Sequence, residues 1–513
     1  MVPRRLLAAA LVLSAVAACG TTVPLADRTG TGTGDQHLGG GSEQGGATGG
    51  TGGGVAPGEL SSGSTSAAGG ASTGRRATGG GSASSVGAPG PVAGRTNGIG
   101  VTDTTITIGL TYAQSAATAN AAVGASGIDE GDPVPTSRLL FDDINAHGGI
   151  AGRKVVLLTY AVDPQSAEPY AAEGQAACTY FTQDHKVFAV IDGAAFAEER
   201  ACLEKHHVLH LGGGLISAPV TQHEFDAYGT RLSRVFSVLA DALAQGGWFG
   251  GWDRLQGKPG TAPAKTGIVT ADDPTDNAAI NHQLLPALRH LGHAPSPQDI
   301  IRITPPQGFG DDGAVVAGID NAVLKLSADG VDHVFLNDGN GSLSLLFQNY
   351  ALSQHYFPRY GGTSGNGWQT LLSAGDLPKQ TMAGAMGIGW QPLLDLPFEQ
   401  GAGPYATTAR KLCFALFTRH GYNHTDAASA AGQAEGCDVG YLLAVALRSS
   451  RGPLDMDVAT RAIEALGRTY PVASGLGSLF APGQHDGTGA WSFMSYGDAC
   501  SCMSYSRGVH LLP

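Results

Sequence analysis

Apolar residues are distributed in two distinct ways along this chain, with the change near Asn97. Beyond it, short apolar runs alternate with stretches of helical spacing. Residues 105–110 (TITIGL) are rich in β-branched side chains and read as a strand. A helix over 136–147 follows, stopped by Gly148-Gly149, then a strand at 155–158, a helix over 167–182 and a strand at 187–191. A helix at 197–206, a strand at 208–211 and the turn Gly212-Gly213-Gly214 complete a first series. A second series begins near Val235, with helices at 239–254, 275–291 and 312–328 and strands at 266–270, 300–303 and 331–336. Further helices are predicted at 342–354, 404–420, 434–449 and 456–467. This alternation favours right-handed βαβ crossovers and parallel sheets covered on both faces, whose strands need no polar alternation. The patterned part is too long for one typical core, so an α/β fold in two lobes is expected.

The first 97 residues lack this pattern. Arg4 and Arg5 precede a short apolar run, Leu6 to Val16, about half the length needed to cross a bilayer. Val16-Ala17-Ala18-Cys19 then resembles a lipobox, so residues 1–19 read as a lipoprotein signal with Cys19 as the lipidated residue. The Arg pair leaves both general and twin-arginine export open. Residues 20–97 are Gly, Ser, Thr and Ala with few large apolar side chains, a composition that cannot offset the entropy of ordering it. They are expected to be a disordered tether.

Net charge is −13 for the whole chain. The tether's charges cancel, so without Arg4 and Arg5 the remainder stands near −15. That excludes a nucleic-acid partner of the usual kind, which needs clustered Lys and Arg. Seven cysteines leave six besides Cys19: Cys178, Cys202, Cys413, Cys437, Cys500 and Cys502. An even number in an exported chain points to disulfides, in any of fifteen connectivities for six thiols.

Several strings imitate catalytic motifs without their spacing. His206-His207 and His210 lie where a helix runs into a strand, so their rings should not converge on a metal. Gly251 to Lys258 is one residue too long for a phosphate loop, and Pro259 stands where Ser or Thr would hold magnesium. Gly361 to Gly365 lacks the nucleophile-elbow spacing and reads as a Gly-rich turn or a cleft loop. Of Asp272 and Asp273, one is expected to cap the helix opening at Pro274. Trp368 and Trp390 are candidates for either cleft wall or core. No catalytic set, metal site or cofactor motif emerges, and no enzyme activity is expected.

Two segments resemble the type I periplasmic binding proteins, in particular the branched-chain amino-acid-binding group served by ABC transporters. One is the opening strand, residues 100–109 (GVTDTTITIG); the more specific is 141–155 (FDDINAHGGIAGRKV). The resemblance spans about residues 98–513. It implies two doubly wound parallel-sheet lobes joined by crossover strands, lobe one from 98–237 and 388–470 and lobe two from 238–387 and 471–513. It places a disulfide at Cys178 and Cys202, and the same lobe assignment joins Cys413 to Cys437; for Cys500 and Cys502, a strained short ring and free thiols both remain open. The amino-acid binders usually carry a Gly-rich loop ending in Ser after the third strand. Here Asp192-Gly193-Ala194-Ala195-Phe196 has no Ser, which points toward a ligand with an apolar or aromatic portion.

In open α/β sheets ligands sit in the crevice at strand C-terminal ends. The residues expected to bind ligand are therefore Tyr112, Ala195, Phe196 and Gly214 in lobe one and Asp272, Asn337 and Ser364 in lobe two. Asp272 would serve as counter-charge to an amine. The function implied is an exported lipoprotein, anchored on the outer face of the cell membrane through Cys19. It captures a small solute, an amino acid or a related molecule, for an ABC permease and its ATPase. A ligand-sensing lipoprotein that presents its bound state to a membrane receptor is the alternative, and a hydrolase on the same scaffold the third.

Overall fold

The computed structural model describes residues 96–513 apart from 115–116, 118–119, 122–124, 126, 130, 165, 194–195, 216–220, 309–310 and 425. The expected signal peptide and lipidated Cys19 lie outside the described residues, as does the tether up to residue 95.

Five parallel strands form the first sheet: β1 (Thr105–Ala113), β2 (Lys154–Val162), β3 (Ala189–Asp192), β4 (Leu209–Gly212) and β5 (Glu224–Asp226), in the order β2-β1-β3-β4-β5. A short antiparallel hairpin, β6 (Trp252–Asp253) and β7 (Lys258–Pro259), stands apart. The second sheet contains β8 (Thr266–Ala271), β9 (Ile300–Ile303), β10 (His333–Leu336), β11 (Arg359–Thr363), β12 (Met386–Gly389), β13 (Ala490–Gly497) and β14 (Cys502–Leu511). Its order is β14-β13-β12-β11-β10-β8-β9, parallel except for the edge pairs β12–β13 and β13–β14.

Both sheets are covered on both faces, as parallel sheets require. One face of the first sheet packs against the helices Pro133–Ala146, Thr408–Arg419, Ala427–Ala446 and Met456–Glu464, through residues such as Leu140, Ile144, Phe417 and Leu442. Its other face carries Phe181, Val190 and Leu203. The second sheet is sandwiched between a cluster around Ile319, Val323 and Leu345 and one around Leu239, Leu243 and Trp248.

The chain passes from one sheet to the other three times: after β5, after β12, and between Phe480 and β13. The three passages are bonded together. The Tyr228 carbonyl accepts from Gln391 Nε2 at 3.1 Å and from Thr488 Oγ1 at 2.7 Å. Asp486, fully buried, accepts from Arg231 Nε at 2.6 Å and Arg234 Nη1 at 2.7 Å. Arg234 and Asp486 are buried together and need each other, because either left alone would be an unpaired buried charge, while Arg231 is partly exposed.

Several expected elements shift. The helix read at 239–254 is Leu232–Gln245. Its buried stripe of Leu232, Val235, Phe236, Leu239 and Leu243 starts two turns earlier, and Gly246-Gly247 ends it, Gly247 at φ 73. That helix belongs wholly to the second sheet's core, so the lobe boundary falls near Arg231 rather than 237. Residues 252–254, expected at the end of the helix 239–254, instead open the β6–β7 hairpin. Gly361 to Thr363 belong to strand β11 rather than to a turn. Glycine is required there by close packing: a Cβ on Gly362 would lie 2.3 Å from Asn366 Oδ1 and 2.8 Å from the Trp368 ring. Asn97, assigned to the tether, is part of the fold, its side-chain oxygen accepting from Leu454 N at 3.1 Å.

All three disulfides form among the six cysteines: Cys178–Cys202, Cys413–Cys437 and the short-range Cys500–Cys502. No described helix is long and apolar enough to cross a membrane.

Candidate ligand-binding cleft

A cavity of about 250 Å³ opens between the two sheets at strand C-terminal ends. The first sheet supplies Gly213, Gly214 and Leu215, directly after β4, and Tyr228, after β5. The second supplies Gly339, Asn340, Gly341 and Ser342, between β10 and the helix Ser342–Ser353, with Leu345 on that helix. Gly367, Thr370 and Leu371 come from the start of the helix Trp368–Ala374 after β11. Ala431, Gly432 and Glu435 project from the helix Ala427–Ala446, and Leu394 adds an apolar side chain.

The remaining wall is the connection after β1, through Asn120, Ala125 and Ile128. This connection leaves the first sheet yet packs on the second sheet's core. Ala125 is buried in that core, and Gly127 N donates to Asp376 Oδ2 at 3.3 Å.

Larger hollows lie elsewhere, one of about 620 Å³ beside Asp143, Tyr441, Arg448 and Arg451. That hollow sits on the outside of the first sheet's helices, away from the strand ends, whereas the 250 Å³ cavity draws its wall from both sheets.

Glu435 is the one charged side chain on the described wall. The helix Ser342–Ser353 aims its N-terminus at the cavity, but a carboxylate already occupies it. Asp338 accepts from Asn340 N at 3.2 Å, Gly341 N at 3.0 Å and Ser344 N at 2.7 Å. Burial pushes the Asp338 carboxyl above its usual range, against the lowering effect of these amides. The first interlobe passage has a similar group. Asp226 is pushed up to about 7, chiefly by burial, while accepting from Gly229 N at 2.7 Å, Tyr228 N at 3.1 Å and Gly214 N at 3.3 Å. It thereby ties a wall residue of the cavity to the first interlobe passage.

Of the seven residues expected to bind ligand, the structure places Gly214 on the cavity wall. Ala195 lies outside the described residues. Tyr112 is half-buried at the end of β1 and absent from the wall. Phe196 is buried within the first lobe, its ring 5.6 Å from that of Tyr170. Asp272 is exposed and accepts from Asn277 Nδ2 at 3.0 Å. Its neighbour Asp273 is the helix cap, accepting from Thr275 N and Asp276 N. Asn337 is buried and donates to Thr270 Oγ1 and Asp276 Oδ2, both at 2.9 Å. Ser364 is fully buried; its hydroxyl donates to Asp395 Oδ2 at 2.6 Å and accepts from Trp390 N at 2.8 Å. Burial raises Asp395 to about 6 despite these bonds. Trp368 and Trp390 are core residues.

Sequence reading stopped a few residues short in the second lobe. Asn340 and Ser342 follow Asn337 on the same loop, and Thr370 follows Ser364, because the wall begins where the next helix starts rather than where the strand ends. Glu435 carried no local signal; a helix more than two hundred residues beyond the first sheet brings it there. His206, His207 and His210 make no metal set, and no group of three or more potential ligands is placed to hold a metal among the described residues.

No protein-family model matches the chain, and no curated protein matches it in sequence. Solved structures do match in fold. One is an ABC transporter substrate-binding protein from Desulfitobacterium hafniense in complex with Leu, at 17% identity and TM-score 0.51, covering 78% of this chain and 100% of that one. Another is a possible leucine/isoleucine/valine-binding protein from Rhodopirellula baltica SH 1, at 16% identity and TM-score 0.53, covering 79% and 96%. A third is a solute-binding protein of an ABC transporter from Rhodopseudomonas palustris BisB5 in complex with 3,4-dihydroxybenzoic acid, at 13% identity and TM-score 0.54, covering 80% and 98%. With two doubly wound sheets, three bonded passages between them and a cavity at the strand ends, the chain has the fold of the type I periplasmic binding proteins.

Proposed function

We propose that this protein is an exported solute-binding lipoprotein that captures a compact small molecule between its lobes and delivers it to an ABC permease and its ATPase. The observation that carries this reading is the 250 Å³ cavity whose wall is drawn from both sheets at strand C-terminal ends. A ligand touching both walls favours the closed arrangement of the lobes, so binding and closure are one event. The passages bonded around Tyr228 and Asp486 are the hinge for it. The work of the cavity is selective binding; its described wall offers one carboxylate, and no histidine, cysteine or lysine to pair with it. The solved neighbours of the same fold, described with Leu and with 3,4-dihydroxybenzoic acid, support a small-molecule ligand.

Cys19 carries the lipid anchor in this reading, and the Gly/Ser/Thr-rich segment after it is the tether that lets the lobes reach a permease. More than one acyl chain is implied, since a single chain holds only marginally. Native mass spectrometry of the protein purified without denaturant tests the binding role. A solute retained by the wild type and lost from Gly432→Trp, which places a bulky ring in the cavity from a regular helical position, is the expected result. Retention of the solute by the variant overturns the site. Cys19→Ala should move the protein from the membrane to the soluble fraction, and an unchanged membrane fraction overturns the anchor.

A further inference from the structure

We infer that the cleft takes compact aliphatic solutes bearing an ammonium group, held opposite Glu435, and turns away carboxylates; this rests on the solute-binding reading above. The first support is the charge of five segments that border the cavity; Tyr228 and Leu394 join the wall from elsewhere, and Arg231, three residues after Tyr228, is paired with Asp486. Residues 112–132, 212–222, 337–345, 364–372 and 431–436 contain no Lys, Arg or His, in described and undescribed positions alike. A ligand carboxylate would therefore meet no cationic side chain from any of these segments.

The second support is the state of the helix that points into the cavity. Backbone amides at a helix N-terminus are a ready anion site. Here Asp338 takes the amides of Asn340, Gly341 and Ser344, and the Asn340 side chain takes that of Ser342 at 3.1 Å. The protein's own buried carboxyl thus stands where a ligand carboxylate would bind, and the amides that would hold that ligand are already taken.

The third is the wall itself. Ile128, Leu215, Leu345, Leu371 and Leu394 supply aliphatic surface, and Glu435 supplies negative charge. A carboxylate accepts at several lone-pair positions, so a ligand ammonium can join whatever protein partner Glu435 keeps. A cavity of 250 Å³, the volume of about eight waters, suits a small solute.

The test compares isosteres on the full chain by calorimetry at neutral pH: 3-methylbutylamine, 3-methylbutanol, 4-methylpentanoate and leucine. The amine is expected to bind roughly tenfold or more tightly than 4-methylpentanoate and leucine, and Glu435→Gln is expected to remove most of that preference while leaving the alcohol unchanged. Equal or tighter binding of either carboxylate compound overturns the inference, as does an unaltered preference in Glu435→Gln or the failure of all four probes to bind. Gly432→Trp separates the two levels. If amine binding survives in that variant, the cleft is not the site. If probe binding is lost in that variant but the wild type prefers the carboxylate, the cleft stands and the charge selection alone falls.

Discussion

Replacing Asp226 by Asn should change the pH dependence of stability in a calculable way. The carboxyl is 3% exposed, sits at the start of the first interlobe passage, and is raised from 3.8 to about 7, mainly by burial and in part by Asp486. A raised folded-state pKa makes the native protein the tighter proton binder. The stability contributed by this group is then complete below pH 3.8 and is lost as pH rises through about 7. At about 1.36 kcal/mol per pKa unit, the wild-type chain loses roughly 2–3 kcal/mol at this position between pH 5 and pH 8. Asn keeps an acceptor for the amides of Tyr228 and Gly229 but cannot titrate. Urea unfolding of both chains at the two pH values is the assay. The stability of Asp226→Asn relative to wild type should improve by roughly 2–3 kcal/mol at the higher pH, while other groups cancel in the difference. Parallel pH profiles for the two chains would refute the reasoning. Asp276, Asp395 and Asp438, each raised to about 6 by burial first of all, act in the same direction, so the wild type itself should be less stable at pH 8 than at pH 5.

Other outcomes follow from particular contacts. Ser364→Ala removes partners from both Asp395 and Trp390 N, so melting should show a loss of about 1–3 kcal/mol, with ligand affinity unchanged because Ser364 does not line the cavity. Replacing Cys178 with Cys202, or Cys413 with Cys437, by alanine pairs opens loops of equal sequence separation, 24 residues, so denaturant unfolding should give similar losses of about 3 kcal/mol. Deleting residues 20–95 should leave melting temperature and affinity unaltered, whereas extending the deletion through Asn97 removes its bonds to Leu454 and Arg153 and should lower the melting temperature measurably.

Local chemistry carried much of this fold. The helix 312–328 agrees end for end, and 342–354 within one residue, because apolar spacing and glycine or aspartate stops are properties of the chain itself. Strands β1 to β4 and β8 to β10 were legible as short apolar runs. Strand β11 was not, since its glycines read as a turn until Trp368 and Asn366 are packed against them. Nor were β13 and β14, whose edge position on the second sheet is a matter of pairing with β12.

The site divides in the same way. Gly214 could be named from the sequence because it follows a strand directly, and strand ends face the crevice wherever the sheet is open. Glu435, Tyr228 and the connection through Ala125 could not. Their approach depends on a C-terminal helix packing on an N-terminal sheet, on the hinge, and on a segment of one lobe burying itself in the other. Asp272 and Ser364 stand where the strand-end rule puts them, yet their side chains bond to Asn277 and to Asp395. Backbone periodicity decides where a strand stops; whether its last side chain meets a ligand or another side chain depends on neighbours distant in sequence, and only the packed structure brings those neighbours together.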